Sequence, residues 1–258
     1  MKIAVCGKGG SGKSTVAALL AREAEKRGIK TLVVDSDESN SGLHRMLGFE
    51  NPPAPLMEML GGKKSLKQKM GQPNIFAETE ITPAGIPKDY VFQRNGLRLV
   101  AIGKILQSLE GCACPMGVLS REFLKKLKLE ANELAIVDME AGVEHFGRGV
   151  ETSLDNILIV IEPPLESVTV GRKIYDLARG MGIKNIMVIM NKVPSAEIAE
   201  GLKARIQESF MDVIGCLYYD ADIFTASLEG RIPDEGVAVA EIKKVLDNIF
   251  TKADMPDF

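Results

Sequence analysis

The 258-residue chain carries 32 basic and 35 acidic side chains, a formal net charge of −3, and is 45 % hydrophobic. That apolar content sustains the core of one large α/β domain, and the lack of a global positive field argues against nucleic acid or anionic lipid as partner. No apolar run approaches the roughly 20 residues of a membrane helix, the first strand follows Met1 directly with no signal sequence before it, and cysteines at 6, 112, 114 and 216 do not make a disulfide framework; a cytoplasmic protein docking on no membrane is expected.

Residues 2–6 read as a buried parallel strand and Thr15–Arg27 as a crossover helix closed by Gly28. Between them Gly7, Gly12, Lys13 and Ser14 satisfy the G-x-x-x-x-G-K-[ST] spacing of a phosphate-binding loop, in the strand-then-helix context the motif requires. Glycines let the backbone come close to a ligand, so the N–H groups of Gly9, Gly10, Ser11 and Gly12 are expected to turn inward around phosphates. The helix that opens at Lys13, Ser14 and Thr15 adds its free N–H groups and its dipole. Lys13 then neutralises the β- and γ-phosphates and the Ser14 hydroxyl ligates Mg²⁺, making this a nucleoside triphosphate site.

Thr31–Asp35 is a second strand, with Asp35 and Asp37 at its carboxyl end, where open α/β sheets place their ligands. Residues 38–96 hold six of the twelve prolines and read as short helices and loops laid over the sheet. Strands are expected at Leu97–Ile102, Leu134–Asp138, Ile157–Ile161, Asn185–Met190 and Val213–Leu217. Helices are expected at Val118–Leu129, Val168–Met181, Ile198–Phe210, Ile223–Leu228 and Val237–Phe250. The alternation predicts a single domain over 1–258, a doubly wound, mostly parallel sheet with helices on both faces and an irregular segment at about 40–96.

Two further groups of residues carry chemistry. Asp35, Asp37 and Asp138, each at or just past a strand end, converge on the phosphate loop, where Mg²⁺ needs oxygen ligands and an attacking water must be oriented. Cys112-Ala-Cys114-Pro115 follows Gly111 and is expected on a loop; a disulfide between residues so close is strained, which leaves metal ligation. One pair supplies two thiolates where a tetrahedral site needs four, and a two-fold axis that brings two pairs together closes the count. Cys6 and Cys216 are expected in the core, and His44 and His145 are isolated.

The lysine-bearing loop Lys8-Gly-Gly-Ser-Gly-Lys13 resembles the deviant phosphate loop of the MinD/ParA/nitrogenase-iron-protein class of ATPases, and Asp138-Met-Glu-Ala-Gly142 resembles its D-x-x-A-G switch. The resemblance implies a homodimer in which Lys8 reaches the partner's nucleotide, Asp37 positions the attacking water, and Asp35 and Asp138 lie near Mg²⁺. It also implies that Gly142 senses the γ-phosphate, that Asn191, followed by Lys192, meets the base edge, and that the loop of Tyr218 and Tyr219 walls the purine. With the C-x-C pair added, the chain resembles the CooC family of nickel-handling ATPases that mature carbon monoxide dehydrogenase, and the sister proteins serving acetyl-CoA synthase. The implied ligands are ATP or ADP, Mg²⁺, and Ni²⁺ or Zn²⁺ at Cys112 and Cys114 shared across the dimer. Two alternatives stand beside this one: a [4Fe–4S] carrier or reductase using the same thiolates, and a positioning ATPase of the MinD/ParA kind. The mixed charge of Glu241–Phe258 does not suit the membrane-binding helix that the second alternative wants.

Overall fold

The computed structural model describes residues 1–37, 42–69, 75–103, 114–143 and 153–253. The chain begins with strand β1 (Lys2–Gly7), helix α1 (Lys13–Lys26) and strand β2 (Lys30–Asp35). Three short helices follow, α2 (Leu43–Met46), α3 (Leu56–Met59) and α4 (Gly62–Lys69), then a hairpin of β3 (Phe92–Arg94) and β4 (Leu97–Ala101). The rest alternates: α5 (Cys114–Lys126), β5 (Glu133–Asp138), β6 (Asn156–Ile161), α6 (Leu165–Gly180), β7 (Asn185–Val193), α7 (Ala196–Gln207), β8 (Asp212–Tyr218), α8 (Ala221–Glu229) and α9 (Val237–Lys252).

Among the described residues the strands form one eight-stranded sheet in the order β3-β4-β2-β5-β1-β6-β7-β8, parallel throughout except for the antiparallel β3–β4 hairpin. Strands buried on both faces read as unbroken apolar runs, and β5 and β6 are buried at every position. Alternate side chains of β1 go to opposite faces. Ile3 and Val5 join a core cluster with α1 and α9, whereas Ala4 and Cys6 join one with α5, α6 and α7. The sheet is therefore covered on both sides, and the ligand rim falls at the carboxyl ends of β1 and its neighbours.

The irregular segment packs on the α5 face. Leu56, Leu66, Phe76 and Ile86 share the core cluster of Leu119 and Phe123, with the Phe76 and Phe123 ring centroids 6.2 Å apart. Lys126 Nζ donates to the carbonyls of Phe76 at 2.9 Å and Glu78 at 2.7 Å, fastening this segment to the last turn of α5.

Several boundaries differ from expectation. Strand β3 went unread because it is three residues long and only partly buried. Helix α5 starts at Cys114, four residues early, since Pro115 falls in the first turn, where a missing N–H costs nothing. Cys114 is thus helical and not a loop residue, while Cys112, Gly111 and His145 lie outside the described residues. Strand β7 continues through Asn191 and Lys192 to Val193, with a register shift after Met190 and Lys192 at φ +56°. Tyr218 closes β8 and does not follow it. Cys216 is only partly buried.

Candidate nucleotide site

The loop between β1 and α1 is shaped by its glycines. Gly10 and Gly12 have φ of +79° and +93°, in the left-handed region that side chains disfavour. A Cβ on Gly7 would stand 2.6 Å from the Val160 carbonyl, and one on Gly12 would collide with Asn191 Nδ2. Close packing against the Val160 carbonyl therefore favours glycine at Gly7, and left-handed backbone favours it at Gly10 and Gly12. Lys13 is 6 % exposed, and its Nζ is 3.5 Å from the carbonyl of Lys8, turned back over the loop.

Behind the loop the carboxylates gather. Parallel pairing of β2 with β5 sets Asp35 opposite Asp138, so the two strand-end side chains are neighbours. Asp138 is fully buried and Asp35 and Asp37 nearly so. Ser14 Oγ donates to Asp138 Oδ2 at 2.6 Å. Burial pushes the Asp138 carboxyl up to about 7; the Ser14 hydrogen bond pulls it back, the charges of Asp35 and Asp37 raise it further, and Lys13 lowers it. A hydroxyl beside buried carboxylates is a hard-oxygen donor set that fits Mg²⁺, which takes few protein ligands and draws the rest from phosphates and water. Gly142 turns at φ +90°, and its N–H donates to the Gly7 carbonyl at 3.2 Å, laying the 138–142 segment against the phosphate loop.

The other wall comes from the ends of β7 and β8. Asn191 Nδ2 donates to the Ser11 carbonyl at 2.8 Å, and Lys192 Nζ donates to the Gly10 carbonyl. Both side chains brace the loop. A cavity of about 370 Å³ opens above it, bounded by Gly10, Gly12, Lys13, Ser14, Thr15, Asp37, Asn191, Lys192, Tyr218 and Tyr219. Most of the residues singled out from sequence thus share one cavity. Lys8, Gly9, Ser11, Asp35, Asp138 and Gly142 lie around it and do not line it.

Two contributors, Glu162 and Phe224, were missed, and the part played by Asp220 goes beyond its place in the loop after β8. Glu162, directly after β6, receives Lys8 Nζ at 3.3 Å and Lys192 Nζ at 3.6 Å. A charged residue ending a buried run is the signal that found Asp35 and Asp138, and it marks Glu162 too. Asp220 caps two helices, accepting from Asp222 N at 2.9 Å and Ala238 N at 3.0 Å, and with Phe224 it completes the cavity. A wider depression of about 760 Å³ between Arg45, Phe49, Arg231 and Glu235 has no phosphate-loop residue in its wall. Among the described residues no three His, Cys, Asp or Glu side chains are grouped to hold a metal ion, and no helix is long and apolar enough to cross a membrane.

The family model of the CobQ/CobB/MinD/ParA nucleotide binding domain matches residues 2–233. An uncharacterized ATP-binding protein of Methanocaldococcus jannaschii is 42 % identical over 98 % of this chain and all of that protein. The carbon monoxide dehydrogenase accessory protein CooC of Rhodospirillum rubrum is 32 % identical, covering 89 % of this chain and 88 % of the other. In structure, the septum site-determining protein MinD of Pyrococcus horikoshii, solved with Mg-ADP, superposes with a TM-score of 0.72 at 19 % identity, over 98 % of this chain and 96 % of that one. At that identity the likeness is one of fold.

Proposed function

Because the chain belongs to the CobQ/CobB/MinD/ParA family of nucleotide-binding P-loop ATPases, we propose that it is an ATP-hydrolysing metallochaperone that carries nickel or zinc on a dimer-shared Cys112/Cys114 site. Its client would be an apo-enzyme of the carbon monoxide dehydrogenase or acetyl-CoA synthase kind. The ATPase part rests on one cavity that gathers Lys13 and Ser14 from the start of α1, Asp37 from just past β2 and Asn191 from β7. The metal part rests on the C-x-C pair, whose second cysteine opens α5, and on the similarity to CooC over 89 % of this chain.

In this mechanism the loop N–H groups and Lys13 hold the β- and γ-phosphates. Ser14 Oγ, beside Asp35 and Asp138, would help hold Mg²⁺, which would supply charge neutralisation on the phosphates when bound. Asp37 orients a water in line with the γ-phosphorus; the P–O bond to ADP breaks as the new one forms, and inorganic phosphate leaves. Lys8 gives up Glu162 and reaches the nucleotide of a second copy, which makes association depend on ATP.

Metal titration of anaerobically prepared protein, with mass followed by light scattering in the nucleotide-free, ADP and non-hydrolysable-ATP states, tests this. The expected result is one Ni²⁺ or Zn²⁺ per two chains, lost in the Cys112→Ala/Cys114→Ala variant. One metal per monomer, or tight binding by the variant, rules the shared site out. Brown protein with cluster absorbance would favour the iron–sulfur alternative.

A further inference from the structure

A hydrogen-bonded path leaves the nucleotide site in an unexpected direction. Ser14 Oγ donates to Asp138 Oδ2 at 2.6 Å, the backbone N–H of Ser36 donates to the Asp138 carbonyl at 3.0 Å, and Ser36 Oγ lies 3.0 Å from Ser120 Oγ, where either hydroxyl can donate. Ser36 stands between the buried Asp35 and Asp37. Ser120 is 1 % exposed on the α5 face that otherwise buries Met116, Leu119, Phe123 and Leu124. A hydroxyl in that apolar setting costs free energy unless it is paired, and packing alone would be served by alanine.

We propose that the Ser36–Ser120 hydrogen bond is the joint through which the phosphate and cation site is coupled to helix α5, and thereby to Cys114, its first residue. Any rearrangement of Asp35 and Asp37 around a bound nucleotide moves Ser36 and so makes or breaks this bond. A helix moves as a rigid body, and Ser120 is six residues, about 9 Å of helical rise, from Cys114. Ser120 is a positioning residue; it touches no reactant. Its consequence for metal affinity rests on the metallochaperone reading, but the joint itself does not.

Amide hydrogen exchange of α5 in the full chain, with and without a non-hydrolysable ATP analogue, is the deciding measurement. In the parent protein nucleotide is expected to change α5 exchange by about fivefold or more. Ser120→Ala should bind the analogue with unchanged affinity while its α5 no longer responds. Ser36→Ala removes the same bond from the other side, and the double variant should lose nothing further. An α5 that ignores nucleotide in the parent, a full response in Ser120→Ala, or additive losses in the double variant would each overturn the joint. Zn²⁺ titration of the same proteins separates the two readings. Nucleotide-dependent affinity in the parent that disappears in Ser120→Ala supports both, whereas a parent that binds neither Zn²⁺ nor, in a parallel titration, Ni²⁺ sinks the metallochaperone reading and leaves the exchange result to decide the joint.

Discussion

The Lys8 ammonium lies 3.3 Å from Glu162 Oε1 of its own chain, with side-chain exposures of 36 % and 14 %. Partly exposed pairs of this kind contribute about 0.2–1 kcal/mol, so a phosphate group displaces Glu162 at little cost. Lys8→Ala is expected to leave nucleotide affinity of the monomer near normal and to reduce ATP-dependent dimerisation and turnover. Glu162→Gln, which frees Lys8, should raise the dimer fraction at a given ATP concentration. Sedimentation of both variants in ADP and in an ATP analogue checks this; a Lys8→Ala monomer that has lost nucleotide affinity would place Lys8 in cis.

Lys13 and Asp37 both border the cavity but meet the substrate at different stages. Lys13→Ala removes the charge proposed to contact phosphates in the ground state, so binding itself should weaken. Asp37→Asn removes the group proposed to orient water, so binding should persist while turnover falls by about 100-fold or more. Paired calorimetric and phosphate-release assays separate the two, and parental turnover in Asp37→Asn would end its assignment.

Asp138 makes stability pH-dependent in the nucleotide-free, magnesium-free chain. Burial holds its carboxyl at about 7 against an ordinary value of 3.8, so the folded state keeps a proton that the unfolded state releases. Below about pH 4 both states are protonated and the folded state has its full advantage. That advantage falls as pH rises toward about 7 and is flat above it. Urea unfolding across this window should show a slope that Asp138→Asn diminishes; equal slopes would mean that Asp138 does not titrate there.

Gly12→Ala tests the brace between β7 and the phosphate loop. The substitution forces a side chain to φ +93° and into Asn191 Nδ2. Left-handed backbone alone costs about 1–2 kcal/mol, and the collision displaces Asn191 from the Ser11 carbonyl. The expected outcome is a lower unfolding midpoint together with weakened ATP binding. A fully stable variant that binds ATP normally would show that the brace is dispensable.

The candidate nucleotide site was legible wherever the signal was local. Gly7 to Ser14 is read by spacing, because a strand, a tight turn and a helix N-terminus are all specified within a few residues of one another. Asp35 and Asp138 are read because buried parallel strands end at one rim. The extent of β7 through Lys192, the helical start at Cys114 and the short strand β3 were not, since packing overrides weak local preference at element ends. What only the tertiary structure decided is which side chains meet. Ser36 and Ser120 are 84 residues apart, Lys8 and Glu162 are 154, and Asn191 and Ser11 are 180. Those meetings follow from the order β4-β2-β5-β1-β6-β7. Strand order is settled by burying two faces of one sheet at once, a property of the whole chain that no short stretch of it encodes.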